Sequence, residues 1–380
     1  MKRWFVVVAL LSLLPFAAQA AFVPPPPDIQ AASYELMDYA SGTILASKDP
    51  EQRRAPASLT KLMTIYITFD QLKKGLLHLD TPVLISKHAW LTGVNGGASR
   101  MFLTVGDHVP VNLLIQGVIV DSGNDASIAL AEHIAGSVNS FAGLMNEYAK
   151  KLGMTHSHFV NADGLPVADH YSTAGDLALL ARHLIHDFPK YYPYFKQKEF
   201  TYDKIRQFNR VHLLFTDPSV DGLKTGFTDA AGYCLLASAD RHGRRLIAIV
   251  MGTKSEAYRN VAAEQLLNYG FQFFETDKLL GKDNPALKLR VYKGTVEELP
   301  VGTLEPVYLG LPRGSSKDLK IVPKVTSTPV APIAAGQQLG TADIQLDGKT
   351  VKTVPLVALQ AVGSGGFVHN AVDQVRLWMK

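Results

Sequence analysis

From Leu59 to Leu72 apolar residues fall on nearly every side of a helical wheel, among them Leu62, Met63, Ile65, Tyr66, Ile67 and Phe69, and Gly75 follows as a stop. A helix apolar all round belongs inside a large domain. Before it, Tyr34 to Met37 and Thr43 to Ala46 flank Ala40-Ser41-Gly42 and read as a strand hairpin. After it, Val111 to Val120, Ala126 to Ala135, Phe141 to Leu152 and Thr173 to His186 carry helical periodicity, the third closed by Gly153. Tyr233 to Ala239 and Leu246 to Met251 read as neighbouring strands joined by the charged turn Asp240 to Arg245, and a last helix spans roughly Ala257 to Phe274. Strands, then helices, then strands predict an α+β domain in which helices pack on an antiparallel sheet.

The texture changes after Leu280. Short Val- and Leu-rich runs from Leu287 to Ala361 are separated by turn signals at Lys293-Gly294, Gly302, Pro312-Arg313-Gly314 and Asp347-Gly348-Lys349, the mark of a small all-β sandwich. Beyond the flexible Gly363-Ser364-Gly365-Gly366, the residues Phe367, Val368, Ala371, Val372, Val375, Trp378 and Met379 share one side of a helix, and His369, Asn370, Asp373, Gln374, Arg376 and Lys380 share the other. Such a helix, too short and polar to span, suits a membrane interface, and docking on the β domain is the plainer alternative. At the opposite end, Lys2 and Arg3, an apolar run to Phe16 and Ala18-Gln19-Ala20 form a secretory signal. The expected division is a signal over 1–20, a catalytic domain over 21–280, an all-β domain over 281–362 and an anchoring helix over 363–380.

Composition changes this picture little. The 380 residues exceed one ordinary core, and 47% apolar against 19% charged residues excludes extensive disorder. Removing Lys2 and Arg3 takes the net charge from +4 to +2, and with no basic cluster nothing points to nucleic acid. The single cysteine, Cys234, permits no internal disulfide despite export, and its apolar run makes it a buried structural thiol. Lys224-Thr225 ends like a phosphate loop, but Ser219 stands where the loop's glycine belongs. His156 and His158, His183 and His186, and His133 lack a clear third ligand, so neither a metal nor another cofactor is expected.

Three short motifs carry the candidate chemistry: Ser58-Leu59-Thr60-Lys61, Ser122-Gly123-Asn124 and Lys224-Thr225-Gly226. Ser58 opens the buried helix, so Lys61, one turn on, shares its face and can reach its hydroxyl. Ser122 and Asn124 fall in a sharp loop between apolar helices. Lys224 to Gly226 precede a strand-forming segment, with Gly226 allowing close backbone approach. Ser58 as a plain cap, and Lys61 and Lys224 as solvated charges, are the bland alternatives. Yet a lysine inside an apolar run is costly unless paired or neutral, and desolvation with a second cation such as Lys224 would make a neutral amine available as a base.

With these motifs, within Val-Asp-Ser-Gly-Asn-Asp-Ala and Gly-Leu-Lys-Thr-Gly-Phe-Thr, the chain resembles a serine-type D-alanyl-D-alanine carboxypeptidase, a low-molecular-mass penicillin-binding protein, over nearly its whole length. The resemblance implies a penicillin-binding and β-lactamase-like fold followed by the β domain and tail. It implies that Ser58 attacks the carbonyl between the terminal D-alanines of a peptidoglycan stem pentapeptide while Lys61 takes its proton. Ser122 and Asn124 would relay the proton and orient the substrate. Lys224 and Thr225, with Arg259, would bind the terminal carboxylate, and the backbone amides of Ser58 and Phe227 would hold the oxyanion. β-Lactams would acylate Ser58, and the enzyme would sit at the periplasmic face of the inner membrane. Phe227 departs from the family pattern, where histidine often follows Lys-Thr-Gly, and this bears on turnover and β-lactam preference. A β-lactamase is disfavoured because no Glu-x-x-Leu-Asn segment stands between the second and third motifs. A D,D-endopeptidase and a slow scaffold protein remain as alternatives.

Overall fold

The structure, a computed structural model, describes residues 23–94 and 99–379; the signal expected over 1–20 lies outside them. The chain opens with the expected hairpin, β1 (Ser33–Asp38) and β2 (Ile44–Lys48). A single 3-10 turn, Ala57–Thr60, leads into α1 (Lys61–Lys73). A short ribbon of β3 (Pro82–Leu84) and β4 (His108–Pro110) brackets α2 (Lys87–Val94). Then come α3 (Val111–Gln116), α4 (Asn124–Ala135), α5 (Val138–Leu152) and α6 (Ala174–Asp187). The hairpin of β5 (Glu199–Tyr202) and β6 (Ile205–Phe208) and a short α7 (Leu213–Thr216) precede β7 (Val220–Thr228), β8 (Gly232–Arg241), β9 (Arg244–Thr253) and α8 (Glu256–Phe273).

The main sheet is antiparallel with order β2-β1-β9-β8-β7, so the two ends of the domain meet in its middle and α1 to α7 are inserted between β2 and β7. Both faces are covered. Cys234 and Leu236 of β8, with Ile247, Ile249 and Met251 of β9, join the core around α1, α4 and α6. Leu235, Ala237, Leu246, Ala248 and Val250, one residue out of step, join the core under α8. That two-sided burial is why these strands read as unbroken apolar runs instead of alternating ones. α1 sits at the centre of the first core, apolar all round as its sequence requires.

Two local expectations are corrected. Val111 to Val120 is not one helix: α3 ends at Gln116 and the chain widens into a π-helical turn, Gly117–Asp121, closed by the Gly123 N–H on the Gly117 carbonyl at 2.9 Å. Ser122 ends that turn in the left-handed region, at φ 58°, and Asn124 already belongs to α4. Lys224 to Gly226 precede the strand β8 but themselves lie within another, β7, whose Asp221, Gly222 and Lys224 interrupt the apolar pattern that would have announced it.

The second unit is all β. β10 (Phe274–Leu280) pairs with β13 (Val307–Pro312), and β11 (Leu287–Arg290), β12 (Glu298–Gly302), β14 (Leu319–Val325), β15 (Gln338–Leu346) and β16 (Lys349–Ala358) form a sheet of order β11-β12-β16-β15-β14. Leu280, Leu309 and Leu311 from the first pair meet Leu299, Ile344 and Leu356 from the larger sheet in one core. β10 is laddered to the second unit, while its Thr276 donates to Asp38 and its Phe274 carbonyl accepts from Arg244 in the first.

α9 (Phe367–Trp378) docks by its polar side. Asp373, 1% exposed, accepts the Lys293 N–H at 2.7 Å and is ringed by His369, Arg376 and Arg290. Phe367, Val368, Val375, Trp378 and Met379 point outward, Phe367 at 89% and Trp378 at 86% exposure. Among the described residues no helix is long and apolar enough to cross a membrane.

Candidate active site

Ser58 lies in the 3-10 turn, half-buried, with α1 starting at Lys61. The turn is pinned between two glycines. A Cβ on Gly226 of β7 would come within 3.1 Å of the Pro56 carbonyl, 3.2 Å of the Ala57 Cβ and 3.3 Å of the Ser58 nitrogen. On the other flank Gly164, at φ +86°, fits where any Cβ would overlap the Ala57 carbonyl. Gly164 needs glycine both for approach and for its backbone, whereas at Gly226 a side chain would press on the turn by a few tenths of an ångström.

Lys61 is fully enclosed, and its Nζ has three partners: Ser58 Oγ at 3.0 Å, Asn124 Oδ1 at 2.7 Å and the Asp163 carbonyl at 2.6 Å. Two of these can only accept. A neutral amine keeps two N–H donors for them and turns its lone pair to the third, the one partner with a proton to give. Burial brings the ammonium down to about 8, with Arg210 pushing the same way and Asp163 and Asp125 resisting. Arg210 acts on Lys61 as a further cation, and the two lysines repel each other as expected; Lys224 is held well below its usual range by burial, Lys61, Arg210 and Arg259.

Lys224 is 2% exposed, with Nζ donating to the Thr225 carbonyl at 3.3 Å, so neither lysine is a solvated charge. β7 is an edge strand of the sheet, with one side free to face the cleft. Lys224 and Gly226 pair with Leu236 and Cys234 on the α1 face, so Thr225 and Phe227 lie on the α8 face. There the Phe227 ring, 47% exposed, stacks on Tyr233 at 4.2 Å, and the Arg259 guanidinium stands 5.7 Å from the Tyr233 centroid. Arg259 comes from α8, is buried, and bonds Glu256 at 2.6 Å while its Nε has no hydrogen-bond partner among the described residues. Ser122 is buried two residues before Asn124, but no hydrogen bond joins its hydroxyl to Ser58 or Lys61 among the described residues.

Sequence reasoning missed three supports. The Asp163 carbonyl reaches Lys61 because Asn161 Oδ1 takes the Gly164 N–H at 2.8 Å and folds the loop. His170 is buried and brought down to about 4 by burial and His158, so it is neutral; its Nδ1 accepts from the Val160 N–H at 3.0 Å, leaving Nε2–H for Thr60 Oγ1 at 2.8 Å. It straps the 158–171 loop to the start of α1. Arg210 is exposed between the buried Asn209 and Val211 and has no apolar pattern to mark it. Beside the turn, a hollow of about 330 Å³ is lined by Ala55, Pro56, Leu165, Pro166, Val167 and Ala230. Cys234 is fully buried on the α1 face.

Residues 19–255 match the family model described as D-alanyl-D-alanine carboxypeptidase, and residues 274–364 match the one described as penicillin-binding protein 5, C-terminal domain. The chain belongs to the D-alanyl-D-alanine carboxypeptidase family. Among its relatives, D-alanyl-D-alanine carboxypeptidase DacC of Escherichia coli is 45% identical over 355 residues, covering 92% of this chain and 89% of that one. DacA of the same organism is 42% identical over 387 residues, covering 99% and 96%. The crystal structure of penicillin binding protein 5 from Haemophilus influenzae superposes with a TM-score of 0.84 at 40% identity, covering 90% of this chain and all of that one. The two matches fall in turn on the α+β domain and on the β domain that follows it in sequence.

Proposed function

We infer that this serine-type D-alanyl-D-alanine carboxypeptidase acts on peptidoglycan through an acyl-enzyme on Ser58. The observation that carries the assignment is the three-partner arrangement of Lys61, in which Ser58 is the one neighbour able to give a proton. Neutral Lys61 takes that proton as Ser58 Oγ attacks the carbonyl between the two terminal D-alanines of a stem pentapeptide. The N–H groups of Ser58 and Phe227 receive the oxyanion, a reading supported by the close approach of β7 at Gly226 to the Ser58 nitrogen. The C–N bond breaks, the proton passes from Lys61 to the departing amine with Ser122 as relay, and D-alanine leaves. Asn124 holds Lys61 and orients the substrate amide, while Lys224, Thr225 and Arg259 take the terminal carboxylate. Water, activated by the same lysine, hydrolyses the ester. A β-lactam acylates Ser58 by the same first half, and its ring-opened ester leaves slowly.

Mass spectrometry of a pentapeptide incubated with the protein tests this. Loss of one D-alanine is expected, and none from a Ser58→Ala variant; D-alanine released by that variant would sink the assignment. The outward apolar side of α9 further supports attachment to the periplasmic face of the inner membrane. Removing residues 364 to 380 should move the protein from the membrane fraction to the soluble one, and an unchanged distribution would refute the anchor.

A further inference from the structure

Arg259, assigned above to the substrate's terminal carboxylate, already has a carboxylate on it. Its side chain is 5% exposed, and its Nη2 donates to Glu256 Oε1 at 2.6 Å, while its Nε is enclosed with no hydrogen-bond partner among the described residues. Glu256 is the outer half of the pair, its side chain 66% exposed. It opens α8 one turn before Arg259, at the end of the helix where Thr253 Oγ1 donates to the Tyr233 carbonyl at 3.0 Å. The Arg259 guanidinium faces the Tyr233 ring, which stacks on Phe227, two residues along the α8 face of β7 from Thr225. The pair therefore lies beside the carboxylate site and not on a remote surface.

A guanidinium grips a carboxylate with two parallel bonds through one of two forks, Nε with Nη2 or Nη1 with Nη2. Both use Nη2. Nε is closed off, so the fork left to a ligand shares its Nη2 with Glu256. Two carboxylates on one guanidinium also repel each other. We propose that Glu256 is a specificity-determining placeholder: its carboxylate occupies Arg259 in the free enzyme, and the substrate's terminal carboxylate displaces it on binding. This rests on the assignment of Arg259 to that carboxylate. The unequal exposure of the two partners suits the exchange. Between turnovers the enclosed cation is never left without a counter-charge, and the displaced anion, being at the surface, returns to water at little cost. A ligand that lacks a carboxylate leaves Glu256 in place and gains nothing from Arg259.

The test is the kinetics of wild type, Glu256→Gln and Arg259→Leu on a peptide ending in D-alanyl-D-alanine and on the same peptide as its terminal amide, with melting temperatures to confirm folding. A pair with one exposed partner holds with an equilibrium constant of about five, so freeing Arg259 in Glu256→Gln should lower KM for the free acid about fivefold with kcat unchanged. The kcat/KM for the amide should stay the same. A KM for the acid that is unchanged, or that rises because Glu256 merely steadies Arg259, would overturn the proposal, as would an equal gain with the amide. Arg259→Leu tests the underlying assignment: its KM for the acid should rise about tenfold, and no rise would remove Arg259 from the carboxylate site and the placeholder with it. A rise there without a fall in Glu256→Gln overturns the placeholder alone. Should wild type release no D-alanine, the same comparison is read from acylation by benzylpenicillin, which carries a carboxylate, against its methyl ester; Glu256→Gln must then gain rate with the acid only.

Discussion

In the cleft, Lys61 and Lys224 are enclosed with neutral oxygens as their hydrogen-bond partners, whereas at the tail Asp373, equally enclosed, takes a backbone N–H and is ringed by His369, Arg376 and Arg290. A buried amine given no ion-pair partner is a cost that the rest of the fold carries, and it is kept where chemistry or a ligand uses it. A buried charge supplied with partners is a fastening. The two regions thus show the same type of burial serving opposite ends: one holds chemistry ready, the other fixes which way a helix faces.

The largest effect that could break this contrast is in the cleft. Lys61→Met should slow acylation of Ser58 by β-lactams about a thousandfold while leaving the melting temperature unchanged or higher, because a base is lost together with an unpaired buried cation. A loss under tenfold, or a clear fall in melting temperature, would mean that Lys61 is a fastening too. At the tail, replacing both Phe367 and Trp378 by serine should weaken binding to anionic vesicles about a hundredfold in a flotation assay, since each exposed ring gives up roughly 1.5–3 kcal/mol of burial. Smaller is the pH effect. Acylation should rise about tenfold per pH unit from pH 5 to 7 and level above about 8, because Lys61 must lose its proton to act. Stability runs the same way: the cost of enclosing the ammonium is full below about 8 and fades as the pH climbs toward the ordinary lysine value of 10.5. The smallest effect is that of Asp373→Asn, which should raise proteolysis within residues 363 to 366 severalfold by loosening α9 without altering D-alanine release.

What was legible in the sequence follows from which signals are local. Ser58 and Lys61 could be paired because one helical turn joins them, and α1 announced itself by being apolar on every side. The tail's amphipathic face was equally plain, although its docking by Asp373 was not, since the partner N–H belongs to Lys293. β7 escaped because an edge strand that lines a cleft carries Gly222, Lys224 and Gly226 where a core strand carries Val or Ile. The π-helical turn escaped because the pattern of Val111 to Val120 is the same for a regular helix as for one that widens at Gly117. His170 and the Asp163 carbonyl act through a loop of more than ten residues folded back on α1, a proximity no spacing rule encodes.

The pair of glycines that pins the serine turn also limits how this protein can change under antibiotic selection. At Gly164 any side chain would overlap the Ala57 carbonyl just before the nucleophile, and at Gly226 one would fit only if the turn gave by a few tenths of an ångström, so the first position is closed as an escape route and the second is narrow. Adaptive substitutions arise more readily on surfaces with room to vary, namely the exposed Phe227 ring and the loop wall at Leu165 and Val167. Resistance in this enzyme would then be written beside the reactive serine sooner than beneath it.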